Sequence, residues 1–282
     1  MSEEKHDLII RRILVALDAS PHSLAALEAA TELAARFRAE LLGLFVEDIN
    51  LLRASELPFT REVRFFSGAR RRLDRQQIER ELRAQAARAR QALTTSAGRA
   101  QVSWSFRVTR GTIASELLAA ASEMDLIILG KSGWSPIGRR RLGSTARALL
   151  CEAPRLALIL EEGAHMAPPV AVIYDGSPLA QKALVTAAAL AQPEDSHLIV
   201  LILAEGRRTA QDLRIQASEW LQRRDLLARY YSLTQWSVPM LAHMLQTEKA
   251  GTLVLPAKTA LLEDEALLTL LDEIETPLLC VR

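Results

Sequence analysis

Little in this chain of 282 residues points to metal, thiol or histidine chemistry. It carries two cysteines, Cys151 and Cys280, with no CxxC or CxxxH spacing, so neither a disulfide framework nor a zinc ribbon is encoded. Each lies in an apolar setting near the end of a repeat and reads as a buried free thiol of a reducing cytosol. The five histidines, His6, His22, His165, His197 and His243, are scattered without metal-ligand spacing and read as surface or capping residues. With 35 basic and 34 acidic side chains the net charge is +1, which leaves no global field to recruit nucleic acid or an anionic membrane. No apolar run approaches the ~18 residues of a membrane span, and the opening Met-Ser-Glu-Glu-Lys is too polar for a secretory signal. A cytoplasmic location is expected.

What the chain does have is enough apolar material for two cores. Hydrophobic residues make up 49% and charged residues 24%, which argues against disorder. Domains of about 100 to 150 residues would fit twice. Sliding the chain against itself shows why two are expected. Ile13-Leu-Val-Ala-Leu-Asp18-Ala-Ser20-Pro21 aligns with Val170-Ala-Val-Ile-Tyr-Asp175-Gly-Ser177-Pro178, and the match runs without a gap to Val46 and Leu203. Each copy begins with a continuous apolar run, as expected of a parallel strand covered on both faces. Ser20 and Ser177 can then cap a helix whose first position is proline.

After the second strand the copies diverge. The first carries an arginine-rich insert over residues 48–75. A helix with apolar or small residues at Ile78, Leu82, Ala86, Ala89 and Leu93 follows, with a stop at Gly98. Val102, Trp104, Phe106 and Val108 alternate as a half-buried strand, Gly111-Thr112 opens another helix, and Asp125 to Leu129 and Leu156 to Leu160 read as the fourth and fifth strands. The second copy is about 31 residues shorter in its middle, from the change in repeat offset, and is expected to lack an element. Its fourth and fifth strands are predicted at Thr252 to Leu255 and Leu278 to Val281. Residues 161–169 read as a linker. The domains are therefore set at 1–161 and 170–282, each an open α/β parallel sheet, with ligands expected outside the carboxyl ends of the strands.

One segment carries chemistry. Behind the apolar run Leu126-Ile-Ile-Leu129 the chain reads Gly130-Lys-Ser-Gly133-Trp-Ser-Pro-Ile-Gly138-Arg-Arg-Arg-Leu-Gly143-Ser144-Thr145. Strand, glycine loop and helix in that order form a phosphate site. Glycines let backbone N–H groups approach an anion, and the helix N-terminus adds free donors and partial positive charge. Two likenesses fail. Gly138-x4-Gly143-Ser144-Thr145 has Ser144 where a P-loop needs lysine. Gly130-Lys-Ser-Gly133 lacks the last glycine of a hydrolase elbow and a histidine base.

Written as G-x2-G-x9-G-S/T, the segment resembles the nucleotide signature of the universal stress protein family, in the branch that generally binds ATP. The flanking strand, Pro154 and both ends of the chain share the resemblance. It implies Rossmann-like domains with strand order 3-2-1-4-5, and two copies packed as an intramolecular pseudo-dimer along their fifth strands. It also implies a site in which Gly130, Gly133, Gly143, Ser144 and Thr145 hold the triphosphate. Ala16, Leu17 and Asp18 would hold the adenosine, and the Val46 backbone would read adenine. Mg²⁺ or Mn²⁺ would bind through phosphate oxygens and water, because one carboxylate cannot build an all-protein site.

Several of these positions have a second reading. Asp18 can simply end its strand and help cap the next helix, as Asp175 can; Val46 can be a core residue; the glycine segment can be an ordinary turn. Arg139, Arg140 and Arg141 can counter phosphates or lie solvated. The insert, with Phe65, Phe66 and Arg70-Arg71-Arg72, reads first as an exposed loop or lid and second as a surface for RNA or an anionic partner. In the second copy Leu255 is followed by Pro256-Ala-Lys-Thr-Ala-Leu-Leu-Glu-Asp-Glu-Ala, with no glycine. Three consecutive acids there, Glu263, Asp264 and Glu265, oppose a polyphosphate, so this half is expected to bind no ATP and to dock on the first half or on a protein partner.

The leading expectation is an ATP-binding stress-response module, with nucleotide-dependent conformation or association, slow or no hydrolysis and no catalytic residue. Nucleic acid and membranes are not expected as partners, whereas a homodimer is compatible. The alternatives are an ATP-dependent enzyme, with Lys131 or one of Arg139 to Arg141 as its cation, and a nucleotide-free scaffold.

Overall fold

A computed structural model describes residues 8–57, 61–63, 70–72, 74–133, 142–191, 198–258 and 264–282, the side chains of 61–63, 70–72 and 264 excepted. The first half runs β1 (Arg12–Ala16), α1 (Pro21–Phe37), β2 (Glu40–Asp48), α2 (Ile49–Glu56), β3 (Arg61–Val63), β4 (Arg70–Arg72), α3 (Arg75–Arg99), β5 (Trp104–Gly111), α4 (Ile113–Ala121), β6 (Leu126–Gly130), α5 (Ser144–Glu152) and β7 (Leu156–Leu160). The second runs β8 (Val170–Tyr174), α6 (Pro178–Leu190), β9 (Leu198–Leu203), α7 (Arg207–Gln222), β10 (Ala228–Leu233), α8 (Val238–Thr247), β11 (Thr252–Pro256), α9 (Asp264–Glu273) and β12 (Leu278–Val281).

All strands but β3 and β4 join one sheet, in the order β10-β9-β8-β11-β12-β7-β6-β1-β2-β5. Within each half the order is 3-2-1-4-5 and every pairing is parallel. The halves meet at β12 and β7, which pair antiparallel with Leu279 opposite Leu158.

Alternation along each strand divides the core. Ile13 and Val15 of β1 face α1 and α3, while Leu14 faces α4 and α5. In the second half α6 and α7 cover the first of these faces, and α8 and α9 the other. The central strands β7, β8, β9 and β11 are buried at every position, so their apolar runs carry no polar face.

The predicted helix starts hold. Ser20 Oγ accepts from Ser23 N at 3.2 Å and Ser177 Oγ from Ala180 N at 3.1 Å, each with proline at the first helical position. Such a cap is worth about 1 kcal/mol.

Three expectations change. The long helix passes through Gly98 to Arg99, and Gln101 (φ 54°) takes the left-handed turn instead. Val108 is 47% exposed because β5 is an edge strand, so the alternation fails there. Cys280 is buried but Cys151, at the end of α5, is exposed. The second half keeps all five sheet strands and, as its shorter repeat predicts, lacks elements of the first: among the described residues, α2 and the β3–β4 pair have no counterpart.

The insert 48–75 is therefore partly regular. Asp48 caps α2 by accepting from Asn50 N at 2.9 Å, and Leu52 is buried, while Phe65 and Phe66 lie outside the described residues. The linker is tied down as well. Ala167 O accepts from Thr252 Oγ1 at 3.2 Å, and Pro169 O accepts from Gly251 N at 3.0 Å. Among the described residues no helix is long and apolar enough to cross a membrane.

Candidate functional site

The carboxyl ends of β1 and β6 lie side by side, with Val15 opposite Ile128. From there the chain leaves in two directions. The helix α1 that follows β1 covers one face of the sheet, and α5, beyond β6, covers the other. This divergence opens the crevice at which α/β sheets take ligands.

On the β1 side, Leu17 is held to β2 by donating to Leu44 O at 2.9 Å. Asp18 follows at the rim, half-buried, with Oδ1 accepting from Ser20 N at 2.9 Å. Asp175 makes the same contact with Ser177 N at 3.0 Å. This shared turn is the structural role of both aspartates. The residue after each is left-handed, Ala19 at φ 60° and Gly176 at φ 80°. Glycine bears that conformation freely and alanine does not, so the first half holds about 1 kcal/mol of backbone strain at the crevice that the second does not.

On the β6 side, Gly130 fits under the first turn of α1. A Cβ there would stand 2.7 Å from His22 Cβ and 2.9 Å from His22 C, so only glycine permits this approach. A Cβ on Gly133 would lie 3.0 Å from Asp18 Oδ2, which places the loop's second glycine against the aspartate carboxylate. Gly143 N donates to Lys131 O at 2.8 Å, which brings the two ends of the loop together. Gly143 is the N-cap of α5 and supplies no capping side chain. Arg147 N is bonded to Gly143 O, so the amides of Ser144, Thr145 and Ala146 precede the first bonded turn. Ser144 is exposed and Thr145 half-buried.

Of the predicted positions, Asp18, Gly130, Gly133 and Gly143 are thus drawn together around one crevice, with Ser144 and Thr145 on the helix that leaves it. Ala16 ends β1 beside Leu44, and Val46 lies two residues further along β2, half-buried against the core beneath. Gly138 and Arg139 to Arg141 lie outside the described residues. Among the described residues no group of three or more His, Cys, Asp or Glu could hold a metal, and Asp18 is the carboxylate at the crevice rim.

Residues 10–159 match the model of the universal stress protein family, a span from just before β1 into β7. The chain belongs to that family. As a universal stress protein it is a stress-response protein. A universal stress protein from Archaeoglobus fulgidus is similar in structure, with a TM-score of 0.74 at 16% identity over 96% of each chain. A putative universal stress protein from Pseudomonas aeruginosa has a TM-score of 0.59 at 17% identity, over 96% of this chain and 93% of that one. A universal stress protein solved in complex with cAMP is 20% identical over 55% of this chain and 99% of that one, with a TM-score of 0.40. The curated proteins contain no match.

Several contacts around the crevice of this universal stress protein were not read from sequence. Lys131 is not a free cation. Its ammonium pairs with Glu161 and donates to Ile274 O at 2.9 Å, and its side chain is only 5% exposed. The β6–β7 register, with Gly130 opposite Leu160, puts residue 131 beside residue 161, so adjacent parallel strands could have signalled the pair. His22 Nδ1 accepts from Glu162 N at 3.0 Å. Asp272 Oδ1 accepts from Leu142 N at 2.8 Å, across 130 residues of chain, and no local pattern announces it.

The second half departs where glycine is absent. Ala257 N donates to Val281 O at 2.8 Å, as Lys131 N donates to Leu160 O at 2.7 Å, so the strand exit is the same. Yet Pro256 stands at the position of Gly130, and α9 opens with Asp264 and Glu265, while Glu263 lies outside the described residues. Tyr174, buried, occupies the position of Leu17. Its phenol pKa is raised by burial and then by the charge of Asp175.

Proposed function

We propose that this universal stress protein binds one ATP in residues 1–161, and that the occupied and empty forms differ in conformation or association. The observation that carries the reading is the closure of the glycine segment. Its two ends meet through Gly143 N and Lys131 O, beside the crevice between β1 and β6, and the helix that follows has no capping side chain. Backbone N–H groups at such a helix end favour phosphate. Gly130, Gly133, Gly143, Ser144 and Thr145 would take the triphosphate, Ala16, Leu17 and Asp18 the adenosine, and Val46 the base. Mg²⁺ or Mn²⁺, where present, would be held by phosphate oxygens and water beside Asp18.

The ionic engagement of Lys131 favours regulation over catalysis, because that ammonium is committed to Glu161 and Ile274. The antiparallel β7–β12 pairing supports a pseudo-dimer of the two halves, with 170–282 as a docking half that takes no nucleotide. A homodimer or a further protein partner would be built on that frame in the cytoplasm.

The test is to purify the protein without added nucleotide, denature it and quantify released small molecules by chromatography with mass detection, beside Gly143→Asp. A Cβ at 143 would meet Lys131 O at 3.3 Å and Ser132 Cα at 3.6 Å, so the variant should fold while placing a carboxylate at the anion site. About one ATP per chain, absent from the variant, is expected. No released nucleotide together with no ATP-induced rise in melting temperature would overturn the reading in favour of a scaffold. Rapid release of phosphate or pyrophosphate would favour an enzyme.

A further inference from the structure

The helix whose amino end forms the anion site is held at both ends by the other half of the molecule. At its start, Asp272 Oδ1 of α9 accepts from Leu142 N at 2.8 Å, one residue before the N-cap Gly143. At its end, Arg282, the last residue of the chain, donates through Nη2 to Leu150 O at 2.9 Å and also to Cys151 O. The opposite end of the glycine segment is held as well. Lys131, directly after Gly130, donates to Ile274 O, two residues beyond Asp272. A single stretch of the second half, 272–274, therefore grips both sides of the loop where its ends meet.

The chemistry of each contact suits its place. A cation at the carboxyl end of α5 opposes the partial negative charge there. A carboxylate on an amide just outside the amino end fixes that amide without occupying the donors of Ser144, Thr145 and Ala146. An anion site made from backbone N–H groups depends on their direction, and glycine, with its wide range of backbone conformations, does not fix that direction by itself.

We infer that Asp272 is a positioning residue for the polyphosphate site of the first half, so that the half expected to bind no nucleotide completes the site of the half that does. The inference rests on the ATP reading above. It separates the two parts of the ligand. Adenosine would be bound at the ends of β1 and β2, which α9 does not hold, whereas the phosphates would depend on the clamped loop.

The experiment compares wild type, Asp272→Ala and Asp272→Asn, all as the full chain. Affinity for ATP and for adenosine is measured by equilibrium dialysis, and amide hydrogen exchange over residues 142–146 is followed without ligand. Asp272→Ala should weaken ATP about tenfold, the loss of one charge-assisted hydrogen bond, while adenosine changes less than twofold. Exchange at Leu142 to Thr145 should quicken. Asp272→Asn keeps an oxygen acceptor and should restore both protection and most of the ATP affinity. A merely structural loss would weaken both ligands alike, and that result would overturn the inference. So would an Asp272→Ala protein that binds ATP as wild type does, with the ATP reading left standing. A wild type that binds no ATP removes the ATP reading itself and this role with it.

Discussion

Lys131 tests whether its cation serves structure. Its side chain is 5% exposed and that of its partner Glu161 is 18% exposed, and the ammonium also satisfies Ile274 O. Lys131→Met keeps the aliphatic length but strands the carboxylate and removes the donor from the carbonyl. Breaking a buried pair by removing one partner costs about 3–5 kcal/mol, and Glu161 can turn partly toward water, so about 3 kcal/mol is expected. At roughly 2 °C per kcal/mol for a chain of this size, the melting temperature should fall by about 6 °C. In Lys131→Met/Glu161→Leu the carboxylate is gone and only the carbonyl is left without its donor, which costs about 1–2 kcal/mol. The double variant should therefore be more stable than the single one. Denaturant unfolding followed by circular dichroism, with calorimetry beside it, reads both. A single variant within 1 kcal/mol of wild type, or a double variant less stable than the single, would refute the reasoning.

The shared aspartate turn makes a paired prediction: Asp18→Ala and Asp175→Ala should each lose about 1 kcal/mol in denaturant unfolding, but only Asp18→Ala should change ATP affinity in titration. At the left-handed positions, Ala19→Gly should be neutral to stabilising by up to about 1 kcal/mol, because strain relief competes with the added chain entropy of glycine. Gly176→Ala should destabilise, since its Cβ would also stand 2.4 Å from Leu213 Cδ2; thermal melts of the two variants that moved in the opposite sense would refute this. Burial pushes the Cys280 thiol from 9.0 up to about 12, so the folded chain keeps a proton that the unfolded chain releases, and stability should fall as pH rises above 9. Cys280→Ala should flatten that slope, and a native thiol titration at pH 8 should count only the exposed Cys151.

Where a signal is local, it was legible. Ser20, Pro21, Ser177 and Pro178 begin their helices because a capping oxygen and a preset φ act within one turn. The spacing of Ile78, Leu82, Ala86, Ala89 and Leu93 marks the buried stripe of α3 because those positions fall on one face. Gly98 misled because a glycine permits a helix to stop without forcing it. The alternation through Val108 misled because burial of one face depends on what covers it, and at the edge of the sheet little does.

At the site, the glycine spacing and the repeat placed Asp18, Gly130, Gly133 and Gly143, since strand, loop and helix follow one another along the chain. The partners of that loop lay beyond any such reading. Asp272 and Arg282 reach α5 only because β12 pairs antiparallel with β7 and carries the end of the second half against the first. The sequence by itself determined the apolar strands at the centre of the sheet, where α1 and α6 start and where glycines stand beside the crevice, because these follow from propensity, capping and sterics over a few residues. Only the tertiary structure decided that Lys131 reaches Ile274, and that one half of the chain holds the two ends of the other's loop. Contacts across 130 and 143 residues are set by sheet order and register, which no local pattern encodes.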